Sequence, residues 1–392
     1  MKQQFDVLVL GAGMVGASAA LALARTGFSV ALIERQDLDQ LNNKLADEYD
    51  LRVSAISPSS QQLLNELGVW QDVRRLRCCD YHKMSVWHEH GAASMNFSCE
   101  QIGISHLGTI VENRLLQSVL IQHLTHLPNV TIFKEQQLKS VQQSDNEVLV
   151  TIKSGQLLQA KLLLAADGRE SSVRELLHIP VTTGSYQQTA IVANVSTEKP
   201  HDHTAWQRFL STGPLAFLPL SNGQSSIVWS ADTARAEQLL QMSDEDFKLQ
   251  LAEAFEFKLG GITSIGKRAG FPLNWHAADK WLEGRVLLIG DAAHGVHPLA
   301  GQGVNLGFSD VASLNQIVKS GEVIYQRRTL RAFERQRKAE TATATHLFTA
   351  LKLLYGRQTS LLCRARDLGM SVVDNNILIK RLVLQSAVHN MV

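Results

Sequence analysis

Neither sign of charge dominates this chain. Across 392 residues, 38 Lys and Arg stand against 37 Asp and Glu, a formal net charge of +1. The basic surplus of a nucleic-acid binder is missing, so no nucleic-acid partner is expected. Cysteine is scarce as well. Cys78, Cys79, Cys99 and Cys363 form no Cys-x-x-Cys pair and no metal-ligand spacing, so no metal is expected. A Cys78–Cys79 disulfide would be strained, and the four thiols read as inert groups in a reducing cytoplasm. No uncharged apolar run reaches the ~18 residues that span a bilayer. Lys2 precedes an apolar stretch, as in a secretory signal, but Asp6 interrupts it and three glycines lie within it at functional spacing. A cytoplasmic protein is expected, peripheral at the inner membrane at most. There is no internal repeat and no low-complexity tract.

The N-terminal segment holds a complete βαβ pattern. Phe5–Leu10 is apolar with β-branched valines and reads as a buried parallel strand. Met14–Arg25 is alanine-rich and reads as a helix stopped by Gly27. Ser29–Ile33 is a second strand, ending at Glu34. Between the first strand and the helix stands Gly11-x-Gly13-x-x-Gly16. In such a turn the first glycine permits the bend, the second lets backbone approach a pyrophosphate, and the third lets helix and strand pack closely. Free N–H groups at the helix start favour the phosphates, and Glu34 is placed for the adenosine ribose. With strand, helix, second strand and acid in order, dinucleotide binding follows.

Two later motifs sit after further apolar strands. Ala165-Ala166-Asp167-Gly168-x-x-Ser171-x-x-Arg174 follows Leu162–Leu164, and Gly290-Asp291-Ala292-Ala293-His294 follows Val286–Ile289. An acid at a strand's carboxyl end points into the crevice where doubly wound sheets bind ligands, so Asp291 suits a ribityl hydroxyl. The third motif continues through His297-Pro298-Leu299-Ala300-Gly301-Gln302-Gly303-Val304-Asn305 to Asp310. The Gly301-Gln302-Gly303 turn opens a helix whose N–H groups suit the pyrimidine edge of an isoalloxazine. Three motifs for three parts of one flavin dinucleotide point to non-covalent FAD.

Here the chain resembles the group A flavin-dependent aromatic hydroxylases of the para-hydroxybenzoate hydroxylase fold. Within them, His297–Asp310 is similar to the signature of the ubiquinone-biosynthesis hydroxylases, the 2-polyprenylphenol branch most of all, with the quinone-ring hydroxylases that act later a near neighbour. Leu51–Ile56, Leu67–Trp70, Ile110–Arg114, Ala216–Leu220 and Phe271–Leu273 extend the resemblance, which covers residues 5 to 370. It implies an α/β fold: a Rossmann-like FAD-binding domain (residues 1–72, 107–180 and 275–340), an inserted antiparallel-sheet substrate domain (73–106 and 181–274) and a helical C-terminus (341–392). It implies a monooxygenase in which NAD(P)H, bound transiently, reduces FAD and O2 supplies an oxygen atom to a polyprenylated phenol or quinol ring. A homo-oligomer and a ubiquinone-biosynthesis complex are expected with it.

The resemblance also carries roles by position. Gly11, Gly13, Gly16, Glu34, Arg35, Arg52, Arg114, Asp167, Gly168, Gly290, Asp291, Gly303, Val304 and Asn305 are expected to hold the cofactor. Pro298, Gly301, Gln302 and Gly303 are expected around the reactive part of the flavin, and the phenol activates its own ring, so no protein base is expected. Phe209, Phe217 and Trp229 are the candidate substrate wall, on strand-like runs whose alternation puts some of them on one face. His294 and His297 show no acid partner in the sequence and read as structural. Arg327, Arg328, Arg331, Arg335, Arg337 and Lys338 read as a solvated helix face. The competing functions are a flavin-dependent reductase of an isoprenoid and a non-catalytic flavoprotein scaffold. Oxygen consumption and NAD(P)H oxidation separate them.

Overall fold

The computed structural model describes residues 2–39, 41, 49–89, 93–295, 303–356 and 360–389. The βαβ unit forms as expected: strand Val7–Leu10, helix Met14–Arg25, strand Val30–Ile33. These strands are the middle of a six-stranded sheet in the order Leu282–Glu283, Val286–Leu288, Leu162–Ala165, Val7–Leu10, Val30–Ile33, Val130–Phe133. All its pairings are parallel except that of the edge strand Leu282–Glu283. The four strands Val7–Leu10, Val30–Ile33, Leu162–Ala165 and Val286–Leu288 are buried throughout, which is why they read as unbroken apolar runs rather than alternating ones.

Register then decides where the chemistry gathers. Leu10 pairs with Ile33 and with Ala165, and Ala165 pairs with Leu288. The carboxyl ends of four strands are therefore level, and Gly11, Glu34, Ala166–Asp167 and Gly290–Asp291 emerge together along one edge. The hairpin expected around Ser154-Gly155 is present as Val148–Ile152 and Leu157–Ala160, in a separate four-stranded sheet.

A nine-stranded, mostly antiparallel sheet forms the second layer. Its main path runs His294–Gly295, Ala269–Ala278, Val181–Thr197, Ser225–Asp232, Gly213–Pro219, Thr204–Leu210, Lys83–His88, Ser94–Ser98. Its first strand is the end of the third motif, since Gly295 pairs with His276 and His294 with Ala277. The turn from Gly290 to His294 thus joins the parallel sheet to the edge of the large one.

The faces of the large sheet differ from the expectation for two residues. Phe217 and Trp229 point away from the parallel sheet, into a core closed by helices Thr233–Gln241 and Asp244–Ala254. Phe217 stacks on Phe255 with ring centroids 3.9 Å apart, and Trp229 packs on Phe247 at 6.0 Å. They are the second core, not a substrate wall. Their neighbours by alternation, Val228 together with Ala190 and Val192, face the other way. Phe209 lies farther along the sheet, packed with Val86 and Met370.

One further correction concerns the arginine-rich segment. Arg327, Arg328, Arg331 and Arg335 are exposed on helix Arg327–Gly356, as expected, but Arg337 is buried. Its Nε donates to Asp310 Oδ1 at 2.8 Å. Cys78 and Cys79 behave as the sequence suggests. Burial raises Cys78 and pushes Cys79 up to about 12, so neither is a thiolate at neutral pH.

Candidate cofactor and substrate site

The glycine turn shows why each glycine is there. Gly11 has φ +96°, and a Cβ on it would lie 2.4 Å from Ala166 O. A Cβ on Gly16 would lie 2.0 Å from Gly11 O, so this glycine sets the closeness of helix to strand. At Gly13 a Cβ would meet no atom of the described residues, and the residue borders a cavity. That free space over a helix N-terminus is what a pyrophosphate needs. Glu34 is buried and braces the same turn. Its Oε2 accepts from the Ala12 N–H at 2.6 Å and its Oε1 from the Gln36 N–H at 2.8 Å. A carboxylate has about four acceptor positions, so both oxygens keep capacity for ribose hydroxyls. Arg35, next to it, is exposed.

The cavity holds about 570 Å³ and has two kinds of wall. One wall comes from the parallel-sheet side: Gly13, Arg52, Gly168, Asp291, Gly303 and Val304. The other comes from the large sheet: Ala190, Val192, Val228, Phe271 and Leu273. Arg52 is exposed at the boundary, its guanidinium carbon 5.8 Å from the centre of the Phe271 ring. Another recess of about 580 Å³, lined by His82, Cys99 and His203 among others, contains none of the expected residues.

The Gly290–His294 turn is held from several sides at once. Gly290 takes φ +56° and donates its N–H to Asp310 Oδ2 at 2.8 Å. The Asp291 carbonyl lies 2.7 Å from His276 Nε2, and a carbonyl only accepts, so that nitrogen carries the hydrogen. Burial holds the His276 imidazole below its usual range, in keeping with a neutral ring. The Ala292 carbonyl accepts from Arg174 Nη1 at 2.6 Å, and His294 Nε2 stands 2.8 Å from Asp310 Oδ2. His294, which has no visible partner in the sequence, therefore has an acid partner and also stacks on Trp281. Burial alone would raise the Asp310 carboxyl, but His294 and Arg337 outweigh it and hold the group below the usual carboxylate range. The Asp291 side chain alone is left exposed, facing the cavity.

The remaining expected residues fall into different environments. Asp167 Oδ2 accepts from the Ser172 N–H at 2.7 Å and the Ser172 hydroxyl at 3.0 Å. Its Oδ1 is a buried acceptor with no partner among the described residues. Gly168, with φ +85°, has open space where a Cβ would sit. The Asn305 side chain is engaged by protein backbone, accepting from the Ser57 N–H at 3.1 Å and donating to Ala55 O at 2.8 Å. Arg114 is half-exposed, 3.5 Å from Asp50 Oδ2, and is not among the residues bordering the cavity. Pro298, Gly301 and Gln302 lie outside the described residues, as does His297.

These features together define a dinucleotide-binding oxidoreductase site, and its residues fit FAD. Gly13 leaves room for phosphate and, among the described residues, the Asp291 carboxylate and Asp167 Oδ1 have no hydrogen-bond partner. Residues 4–345 match the FAD binding domain family. The chain is 34% identical over 390 residues to the 3-demethoxyubiquinol 3-hydroxylase of Escherichia coli, covering 98% of each protein. It is 34% identical to the mitochondrial ubiquinone biosynthesis monooxygenase COQ6 of Danio rerio, covering 94% of this chain and 87% of that one. Among solved structures, the p-nitrophenol 4-monooxygenase PnpA from Pseudomonas putida DLL-E4 superposes with a TM-score of 0.77 at 21% identity, covering 97% of each chain. That likeness speaks for the fold. The chain belongs to the FAD binding domain family and is an FAD-dependent monooxygenase.

Proposed function

We propose that this enzyme hydroxylates the ring of a polyprenylated phenol or quinol in ubiquinone biosynthesis, with NAD(P)H as reductant and O2 as co-substrate. The observation that carries this reading is the two-walled cavity. A polar edge built from Gly13, Gly168 and Asp291 faces an apolar wall of Ala190, Val192, Val228, Phe271 and Leu273. The names of the full-length relatives supply the pathway.

When bound, FAD supplies the two-electron redox chemistry and the activation of O2. The chain's residues do the rest. Gly11, Gly13 and Gly16 shape the phosphate cradle, and Asp291 and Glu34 accept from sugar hydroxyls. The apolar wall orients an electron-rich ring and keeps water from its neighbourhood. Small side chains at Ala190 and Val192 leave width for a ring carrying a tail. No protein base is assigned, because a phenolate directs attack on its own ring.

Leu368, Val372, Leu378 and Leu382 stand exposed on the C-terminal helices Ser360–Asn375 and Ile377–His389. They support peripheral contact with the membrane in which such a substrate resides. Among the described residues no helix is long and apolar enough to cross a membrane.

The test is deletion of the gene followed by mass spectrometry of prenylated aromatics. A polyprenylated intermediate lacking one ring oxygen should accumulate and disappear on complementation. Unchanged ubiquinone with no accumulating intermediate would exclude the assignment.

A further inference from the structure

Asp310 lies outside the cavity, fully buried, yet one carboxylate organises both ends of the turn that carries Asp291. Its Oδ2 is 2.8 Å from the Gly290 N–H and 2.8 Å from His294 Nε2. Its Oδ1 accepts from Arg337 Nε at 2.8 Å, and Arg337 also donates to Leu306 O at 3.2 Å and pairs with Glu340. Three elements thus meet at one anion: the turn, helix Gly303–Lys319 that bears Asp310, and helix Arg327–Gly356 that bears Arg337.

Burying a carboxylate this fully costs several kcal/mol unless its charge is paired and its lone pairs are used. Here both oxygens are engaged, by a cation, an imidazole and a backbone N–H. What the arrangement leaves over is telling. Inside the turn, the Asp291 and Ala292 carbonyls are taken by His276 and Arg174, which fixes the two peptide groups after the Asp291 Cα, while the Gly290 N–H bond to Asp310 fixes the chain before it. The Asp291 carboxylate is left exposed toward the cavity.

We propose that Asp310, held in place by Arg337, is a positioning residue for FAD: it sets the Gly290–His294 turn and through it aims the Asp291 carboxylate. Asp310 touches no part of the cavity, so its influence on the cofactor runs through Asp291. This separates a positioning role from a general contribution to the fold. A residue that only stabilises the fold weakens FAD binding whether or not Asp291 has its carboxylate. A residue that aims Asp291 matters only while that carboxylate is there.

The experiment is a double-mutant cycle on FAD affinity, with the full chain stripped of flavin and titrated with FAD by fluorescence quenching. Asp310→Asn keeps volume and one acceptor but loses the charge that holds Arg337. In the wild-type background it should raise the FAD dissociation constant about ten- to a hundredfold, the scale known for groups that orient metal-binding side chains. In the Asp291→Ala background the same change should alter affinity by less than about twofold, so that the two substitutions are strongly coupled rather than additive. If Asp310→Asn does not fold, Arg337→Lys replaces it in the same cycle, with the same expected loss of effect when Asp291 is Ala. Equal weakening in both backgrounds, or no weakening in the wild-type background, overturns the proposal.

Discussion

Arg337 and Asp310 form an ion pair 2.8 Å long with 1% and 0% of their side chains exposed, 27 residues apart in sequence and on different helices. Removing one partner of such a pair leaves a buried charge without compensation. Arg337→Ala should therefore destabilise the protein by about 3–5 kcal/mol. Urea denaturation of the flavin-loaded enzyme measures it, and a loss below about 1 kcal/mol would mean that the pair is dispensable.

The same pair predicts a pH dependence. The Asp310 carboxyl is held below its ordinary value of 3.8 in the folded state, so the folded protein binds this proton less readily than the unfolded chain. Its contribution is present in full above about pH 4–5 and is lost as pH falls through the folded value. Wild type should exceed Asp310→Asn in melting temperature at pH 7, with the gap closing toward pH 3. A gap that widens on acidification would reverse the sign assigned here.

Gly13 and Gly16 make a contrast within one turn. A methyl at Gly13 meets no atom of the described residues, so Gly13→Ala should leave the stability of the flavin-free protein within ~0.5 kcal/mol while weakening FAD binding. At Gly16 the added carbon would lie 2.0 Å from Gly11 O, so Gly16→Ala should lower stability as well. Thermal melts with and without FAD distinguish the two. Equal behaviour would show that the turn tolerates movement of helix against strand.

Purified enzyme should be yellow, with one FAD per chain, and Asp291→Ala should retain it poorly. Loss of one charge-assisted hydrogen bond costs about 1.5–3 kcal/mol, roughly ten- to a hundredfold in affinity. The readout is the FAD dissociation constant by fluorescence titration. Wild-type affinity in the variant would remove Asp291 from the ribityl contact.

The apolar wall predicts how the enzyme treats its substrate's tail. Each buried methylene contributes ~0.8 kcal/mol, so the first one or two isoprene units should lower apparent KM steeply. Further units should add little once the tail leaves the protein. Phenols with zero to three prenyl groups, assayed in detergent and corrected for micelle partitioning, provide the series. Equal efficiency on the unprenylated phenol would point to a small-phenol hydroxylase instead.

The cofactor half of the site was legible in sequence because parallel strands buried on both faces leave unbroken apolar runs, and the motifs sit where those runs end. Gly11, Glu34, Asp167 and Asp291 all reach one edge for that reason. The apolar wall of the cavity was harder to read. Alternation shows that Phe217 and Trp229 can share a face, but which face meets the flavin side depends on helices Thr233–Gln241 and Asp244–Ala254 choosing the other. A parity of one residue separates Trp229 from Val228. Arg337 was hidden differently, as one cation among six close in sequence, with nothing local to mark it as the buried one. His294 showed no acid because Asp310 approaches from the following helix. His276 carried no signal, being one histidine in an extended strand.

The Gly290–His294 turn leaves the parallel sheet at Leu288 and enters the large sheet as its edge strand at His294. It is therefore a tie-rod between the two layers whose facing sides make the cavity. Asp291 lies midway along this short span, between the two sheets it joins. The carboxylate offered to the cavity and the spacing of its two walls therefore depend on one short stretch of backbone.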